Sequence, residues 1–109
     1  MCGIAGQFVL NGGEADADLV GAMAERLRHR GPDGEGTCFS GPVGLAHRRL
    51  AIIDLSDEGR QPMANEDGSL WIVFNGEVYN YLELREDLRA LGHRFATATD
   101  TEVVLHAYE

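Results

Sequence analysis

Cys2 stands directly behind the initiator methionine and ahead of Gly3, and its position alone suggests chemistry. Methionine is normally trimmed before a small side chain, and loss of Met1 leaves the Cys2 thiol on the chain's own α-amino group. Nucleophile and base then share one residue. A free α-amine titrates at about 7.7 to 8.0, so it can take the thiol proton at cellular pH. Thiolates are strong nucleophiles, and an N-terminal nucleophile activated by its own amine is an established form of covalent catalysis. A plainer reading stays open, because most cysteines are small buried hydrophobes.

Other residues carry competing readings. Asn75-Gly76 has the dihedral tolerance of a tight turn. Arg48 and Arg49 are adjacent in a strand-like segment, so one is expected to point inward and the other outward. Asp100 reads as a helix N-terminal residue, favoured by free N–H groups and the helix dipole. His47 titrates in the range useful for a base, although an N-terminal amine already fills that role. His29, His93 and His106 fall on helix ends or faces and read as structural, and Cys38 as a packed thiol.

These groups must be held by a small scaffold. The chain has 109 residues, 44% hydrophobic and 25% charged, which fits one modest globular domain. A net charge of −9 and a pI near 4.7 argue against a nucleic-acid surface, which needs clustered Lys and Arg. The start of the chain has no basic region, and its apolar stretch is too short for a signal or a membrane span. A cytoplasmic protein is expected. Two cysteines do not make a disulfide framework, and no Cys/His pair shows zinc-ligand spacing, so no metal is expected.

Periodicity and turn signals predict a strand over 3–10, closed by Asn11-Gly12-Gly13. Leu19, Val20, Met23 and Leu27 recur at helical spacing from Asp16, and Gly31-Pro32 stops the pattern. Strands over 36–40 and 43–53 flank Gly41-Pro42. The polar stretch 56–67 reads as a loop, and 70–74 as a continuous apolar run closed by Asn75-Gly76. Helix 81–91 presents Leu84, Leu88 and Leu91 on one face, with Gly92 as its stop. Thr99 and Glu102 have capping-box spacing and open a final helix through Val103, Val104 and Ala107. With no internal repeat or linker, the pattern gives one α+β unit.

Five local patterns occur in order: Cys2-Gly3-Ile4, Arg30-Gly31-Pro32-Asp33, His47-Arg48-Arg49-Leu50-Ala51-Ile52-Ile53-Asp54, Asn75-Gly76-Glu77-Val78-Tyr79-Asn80, and Asp100-Thr101-Glu102. Together, and with Gln61-Pro62-Met63 and the helix start at Tyr81, they resemble the N-terminal glutaminase domain of class II glutamine amidotransferases, of the kind found in glutamine-hydrolysing asparagine synthases. The resemblance covers essentially the whole chain. Sugar-phosphate and phosphoribosyl members of the class share the cysteine and the Asn-Gly pair but differ around the arginine motif.

The resemblance implies an N-terminal-nucleophile hydrolase, a four-layer αββα sandwich of which residues 1–109 are the N-terminal part. Cys2 would be the nucleophile, forming a γ-glutamyl thioester, with Asn75 and Gly76 as the oxyanion hole. Glutamine would be bound by Arg49, Leu50, Ala51, Ile52, Ile53, Asn75, Gly76, Glu77 and Asp100. Arg49 would take the α-carboxylate through its planar fork and Asp100 the α-ammonium. L-Glutamine and a downstream synthetase domain are the expected partners, with homodimerisation left open and neither nucleic acid nor membrane expected. No cofactor is expected in this chain, which has no Ser-Gly-Gly-rich pyrophosphate loop. ATP and Mg²⁺ belong to the missing synthetase domain, where ammonia would convert aspartate to asparagine. The segment alone is expected to be poorly folded or inactive. A different acceptor, a non-catalytic glutamine-sensing module and a plain interaction domain are the alternatives.

Overall fold

The computed structural model describes residues 2–51 and 59–109. In chain order its elements are β1 (Gly3–Phe8), α1 (Ala17–Arg26), β2 (Gly34–Ser40), β3 (Val43–Arg49), β4 (Met63–Ala64), β5 (Trp71–Ile72), α2 (Tyr81–Ala90) and α3 (Asp100–Tyr108). This is a mixed α/β architecture. β3 lies between β1 and β2 in an antiparallel sheet, while β4 and β5 form a separate antiparallel ribbon. Gly41, at φ 54°, makes the tight β2–β3 connection with Pro42 and brings Ser40 opposite Val43.

The period-two pleat of β3 determines what each side of the sheet carries. Gly44, Ala46 and Arg48 face α1. Val20 and Ala24 of that helix pack on Ala46 as the buried cluster, flanked by Ala5 and Met23. Leu45, His47 and Arg49 point to the opposite side, which the segment around Gln61 and Phe74 covers. There, Gly36 lies so close to the Gln61 carbonyl that a side chain would collide with it. The Asp16 carboxylate starts α1 by accepting from the N–H groups of Asp18 and Leu19 at 3.0 and 3.2 Å.

Several expected boundaries move, each for a visible reason. The first strand ends at Phe8 and not at residue 10. Leu19 is exposed, because the buried stripe of α1 follows Val20 and Ala24 at i, i+4. The strand expected over 43–53 stops at Arg49, since the N–H groups of Leu50 and Ala51 turn to the Cys2 sulfur and the Asp33 carboxylate instead of a ladder. Residues 52–58 lie outside the described residues, among them Ile52, Ile53 and Asp54 at the end of the arginine motif and residues 56–58 of the expected loop.

The remainder of that loop contains β4. Of the run 70–74 only Trp71 and Ile72 pair. Asn75-Gly76 does not close a hairpin: β5 is followed by irregular chain leading to α2, and Gly76 is not among the glycines at positive φ. Leu91 caps the end of α2 and is exposed, so the expected leucine face keeps only Leu84 and Leu88 half-buried.

At α3, Thr99 is the N-cap, accepting from the Glu102 N–H at 3.4 Å. Glu102 does not reach back to Thr99 as a capping box would. Its carboxylate accepts from Ala96 N–H at 2.8 Å, Thr97 N–H at 2.7 Å and Thr97 Oγ1 at 2.7 Å. The preceding turn is thereby stitched onto the helix. No helix among the described residues is long and apolar enough to cross a membrane.

Candidate active site

A cleft opens where the start of β1, the end of β3, the chain around Gly59–Gln61, residues 74–77 and the start of α3 meet. It is lined by Cys2, Arg49, Leu50, Gly59, Gln61, Phe74, Gly76, Glu77, Thr99, Asp100 and Thr101. Cys2 is held from two sides. Leu50 N–H donates to its sulfur at 3.2 Å, and Arg30 Nε donates to its carbonyl at 3.1 Å.

The whole Arg30-Gly31-Pro32-Asp33 motif acts as a buckle at this point. The Gly31 carbonyl accepts from Arg48 Nε at 3.1 Å, and Asp33 N–H donates to the Arg49 carbonyl at 2.9 Å. The Asp33 carboxylate accepts from Ala51 N–H at 3.0 Å. Gly31 lies so tightly against the Arg48–Arg49 backbone that no Cβ fits.

The two arginines part ways, on opposite faces of the sheet, but neither is the outward, solvated strand residue the sequence allowed. Arg48 is 5% exposed, bound to the Gly31 carbonyl and paired with Glu35 on the α1 side. Arg49 lines the cleft. Its guanidinium lies against Gly59, where a Cβ would stand 2.8 Å from Cζ of Arg49 and 2.9 Å from Cγ2 of Thr99. This brings the Arg49 charge to the start of α3.

Asp100 is buried in the first turn of that helix, but it does not serve as the cap, which is Thr99. One carboxylate oxygen, Oδ2, accepts from Val78 N–H at 2.8 Å, anchoring the chain just beyond Gly76 and Glu77. Gly76 lies under the Phe74 ring, where a Cβ would stand 2.9 Å from Cζ. Of the other residues singled out in the sequence, Leu50 and Glu77 line the cleft, whereas Ala51 and Asn75, both half-buried, lie beside it without lining it.

His47 does not line the cleft. It is 1% exposed, and its Nε2 meets the Phe74 carbonyl at 3.2 Å. A carbonyl only accepts, so Nε2 carries the hydrogen. Burial lowers the His47 pKa from its ordinary 6.5, the Phe74 bond opposes that, and the Arg49 charge adds to the lowering. A neutral ring donating through Nε2 is the consistent state, and its Nδ1 has no partner among the described residues.

Gln61, Thr99, Thr101 and Phe74 also line the cleft, although composition and periodicity gave them no site role. Gln61 sits before a proline in a polar stretch and contacts Thr101, forty residues away in sequence. No local pattern signals that pairing.

A second polar group lies away from the cleft. His93, His106 and Glu109 bring potential metal-ligand atoms within 4.8 Å of one another. Both ring nitrogens of His106 are already engaged, Nε2 with Glu102 at 3.0 Å and Nδ1 with Glu109 at 2.9 Å. Burial alone would lower its pKa, but the bonds to Glu102 and Glu109 and the nearby Glu66 raise it above 6.5. The surrounding carboxylates therefore favour the protonated ring more than water would.

A cysteine-bearing cleft lined by one basic residue, Arg49, and two acidic ones, Glu77 and Asp100, suits a small zwitterion. The family model for the glutamine amidotransferase domain matches residues 1–109, and the chain belongs to that family. Asparagine synthetase [glutamine-hydrolyzing] 1 of Bacillus subtilis (strain 168) is 47% identical over 111 residues, covering 99% of this chain and 17% of that protein. The asparagine synthetase [glutamine-hydrolyzing] of Brassica oleracea is 46% identical over 110 residues, covering 100% of this chain and 18% of that protein. A probable asparagine synthetase [glutamine-hydrolyzing] of Dictyostelium discoideum is 46% identical over 113 residues, covering 100% of this chain and 20% of that protein. The chain therefore spans a fifth or less of the length of these relatives.

Proposed function

We propose that this chain is the glutaminase part of a glutamine-hydrolysing asparagine synthetase, releasing ammonia from L-glutamine for the ATP-dependent amidation of aspartate elsewhere in a longer protein. One observation carries the reading: Cys2, Arg49 and Asp100 line a single cleft in a chain of the glutamine amidotransferase family. The names of the relatives support asparagine as the product.

After loss of Met1, the Cys2 amine takes the thiol proton and the sulfur attacks the side-chain carbonyl carbon of glutamine. The C–S bond forms as the carbonyl becomes a tetrahedral oxyanion, held by Asn75 and the Gly76 N–H. The ammonium returns its proton to the leaving nitrogen, the C–N bond breaks, and ammonia departs. Water then attacks the γ-glutamyl thioester, the C–S bond breaks, and glutamate and the thiol are regenerated. Arg49 takes the α-carboxylate and the other carboxylate oxygen of Asp100 the α-ammonium. Glu77 and the segment from Leu50 through Ala51, Ile52 and Ile53 complete the glutamine site.

The complete domain is a four-layer αββα sandwich in this reading, with ATP and Mg²⁺ held by a separate synthetase domain in the cytoplasm. Exposed Trp71, Leu91 and Tyr108 support further layers packing on β5 and the C-terminal helices. The test is coupled turnover by the full-length protein with glutamine, aspartate and ATP. One glutamate formed per asparagine is expected. Glutamine hydrolysis with no asparagine formed would require a different acceptor.

A further inference from the structure

Phe74 directly precedes Asn75-Gly76, and side chains, in place of a strand ladder, hold both of its backbone polar groups. Its N–H donates to Gln61 Oε1 at 2.6 Å, and its carbonyl accepts from His47 Nε2 at 3.2 Å. Regular pairing in β5 has ended at Ile72. Gln61 is 7% exposed, and its amide nitrogen donates to Thr101 Oγ1 at 3.0 Å, next to Asp100. Asp100 in turn holds Val78 N–H at 2.8 Å. The segment 74–78 is thus fastened at both ends by buried side chains from β3, the Gln61 turn and α3.

We propose that Gln61 and His47 are positioning residues that set Asn75 and Gly76 against the Cys2 thiol. The proposal rests on the oxyanion reading of Asn75 and Gly76 given above. Donors to a developing oxyanion act only when held within about 0.5 Å of the productive geometry. Irregular chain supplies no such precision by itself. Gln61 bridges two parts of the site: one end of its amide fixes the chain entering the oxyanion segment, the other the helix start that carries Asp100. His47 fixes the same peptide from the sheet.

The test is Gln61→Met in the full-length protein, which keeps length and approximate volume but removes both hydrogen bonds. We expect kcat for glutamine hydrolysis to fall about 10- to 100-fold, with KM for glutamine changed less than about threefold. Affinity for a glutamine γ-aldehyde, which forms a tetrahedral adduct on the thiol, should fall in parallel with kcat. Alkylation of Cys2 by iodoacetamide, which develops no oxyanion, should proceed at the wild-type rate. His47→Phe should show the same split, and His47→Gln, which returns a donor near the Nε2 position, should recover much of kcat. Should Gln61→Met fail to fold, Thr101→Val removes the acceptor of the Gln61 amide and gives the same readout.

Asn75→Ala runs beside these variants. If Asn75→Ala leaves kcat unchanged, the oxyanion reading and this proposal both fall. If Asn75→Ala lowers kcat while Gln61→Met and His47→Phe leave it unchanged, or reduce iodoacetamide labelling equally, the positioning role is overturned and the oxyanion reading stands.

Discussion

The amide N–H of Leu50 donates to the Cys2 sulfur at 3.2 Å, which ties the thiol to the residue immediately after Arg49. Arg30 completes the tether by donating to the Cys2 carbonyl at 3.1 Å. Arg30→Met removes that second hold without touching the thiol. Modest misplacement of a reacting group costs up to about 100-fold in rate. We therefore expect Arg30→Met to lower kcat by about tenfold or more while Cys2 remains the labelled residue. An unchanged kcat would show that the Leu50 contact alone suffices.

Arg49 and Arg48 give opposite phenotypes. Arg49→Lys keeps the charge but loses the fork, so KM for glutamine should rise about tenfold or more with a smaller change in kcat. Arg48→Met leaves the Gly31 carbonyl without its partner and should cost about 1–3 kcal/mol of stability with KM unchanged. Steady-state kinetics and denaturant melts of the two variants check this pair. An unchanged KM in Arg49→Lys would remove Arg49 from the carboxylate contact.

Gly31 is required by close approach. A methyl group there meets the backbone of Arg48 and Arg49 rather than a side chain able to yield. Gly31→Ala should destabilise the fold by about 1–3 kcal/mol and slow labelling of Cys2, because Arg30 and Asp33 on either side move with it. Gly21→Ala, where a Cβ meets nothing within 4 Å, is the control and should be neutral or slightly stabilising.

How much of this was legible in the sequence depended on the range of the interaction. The α1 stripe, the Gly41-Pro42 turn and the Thr99 cap follow from local rules, and the structure carries them with small shifts of boundary. Alternation along β3 separated Arg48 from Arg49, and the structure gives the buried Arg48 a role that alternation alone does not reveal. The hairpin suggested by Asn75-Gly76 was misleading because side chains from distant segments hold Phe74 and Val78 in place of a partner strand. The pairing of Gln61 with Thr101 is non-local, and no local pattern signals it or the carboxylates that gather around His106.

His106 and Glu102 make the packing of α3 pH-dependent. The folded His106 is shifted above 6.5, so its stabilising contribution is complete below 6.5 and is lost as pH rises through the elevated value. Burial opposes ionisation of Glu102, but bonds from Thr97, Ala96 and His106 outweigh it and lower its value from 4.5. The Glu102 contribution is present above 4.5 and is lost as pH falls through the depressed value. Both are complete between 4.5 and 6.5. Imidazole NMR titration should show His106 titrating above 6.5 and His47 below it. Hydrogen-exchange protection of α3, corrected for intrinsic rates, should weaken on the alkaline side, and His106→Gln should remove that trend.

If Cys2 becomes an N-terminal nucleophile in a formed glutamine site, Met1 must be lost and the thiol must react where glutamine binds. Intact-mass analysis of the full-length protein after exposure to a glutamine-shaped electrophile reads both parts together. We expect a species lacking Met1 that carries one adduct on Cys2, blocked by excess glutamine and lost in Cys2→Ala, with Cys2→Ala and Cys2→Ser inactive toward glutamine. Full glutaminase activity with Met1 still attached, or labelling that glutamine does not protect, would contradict it.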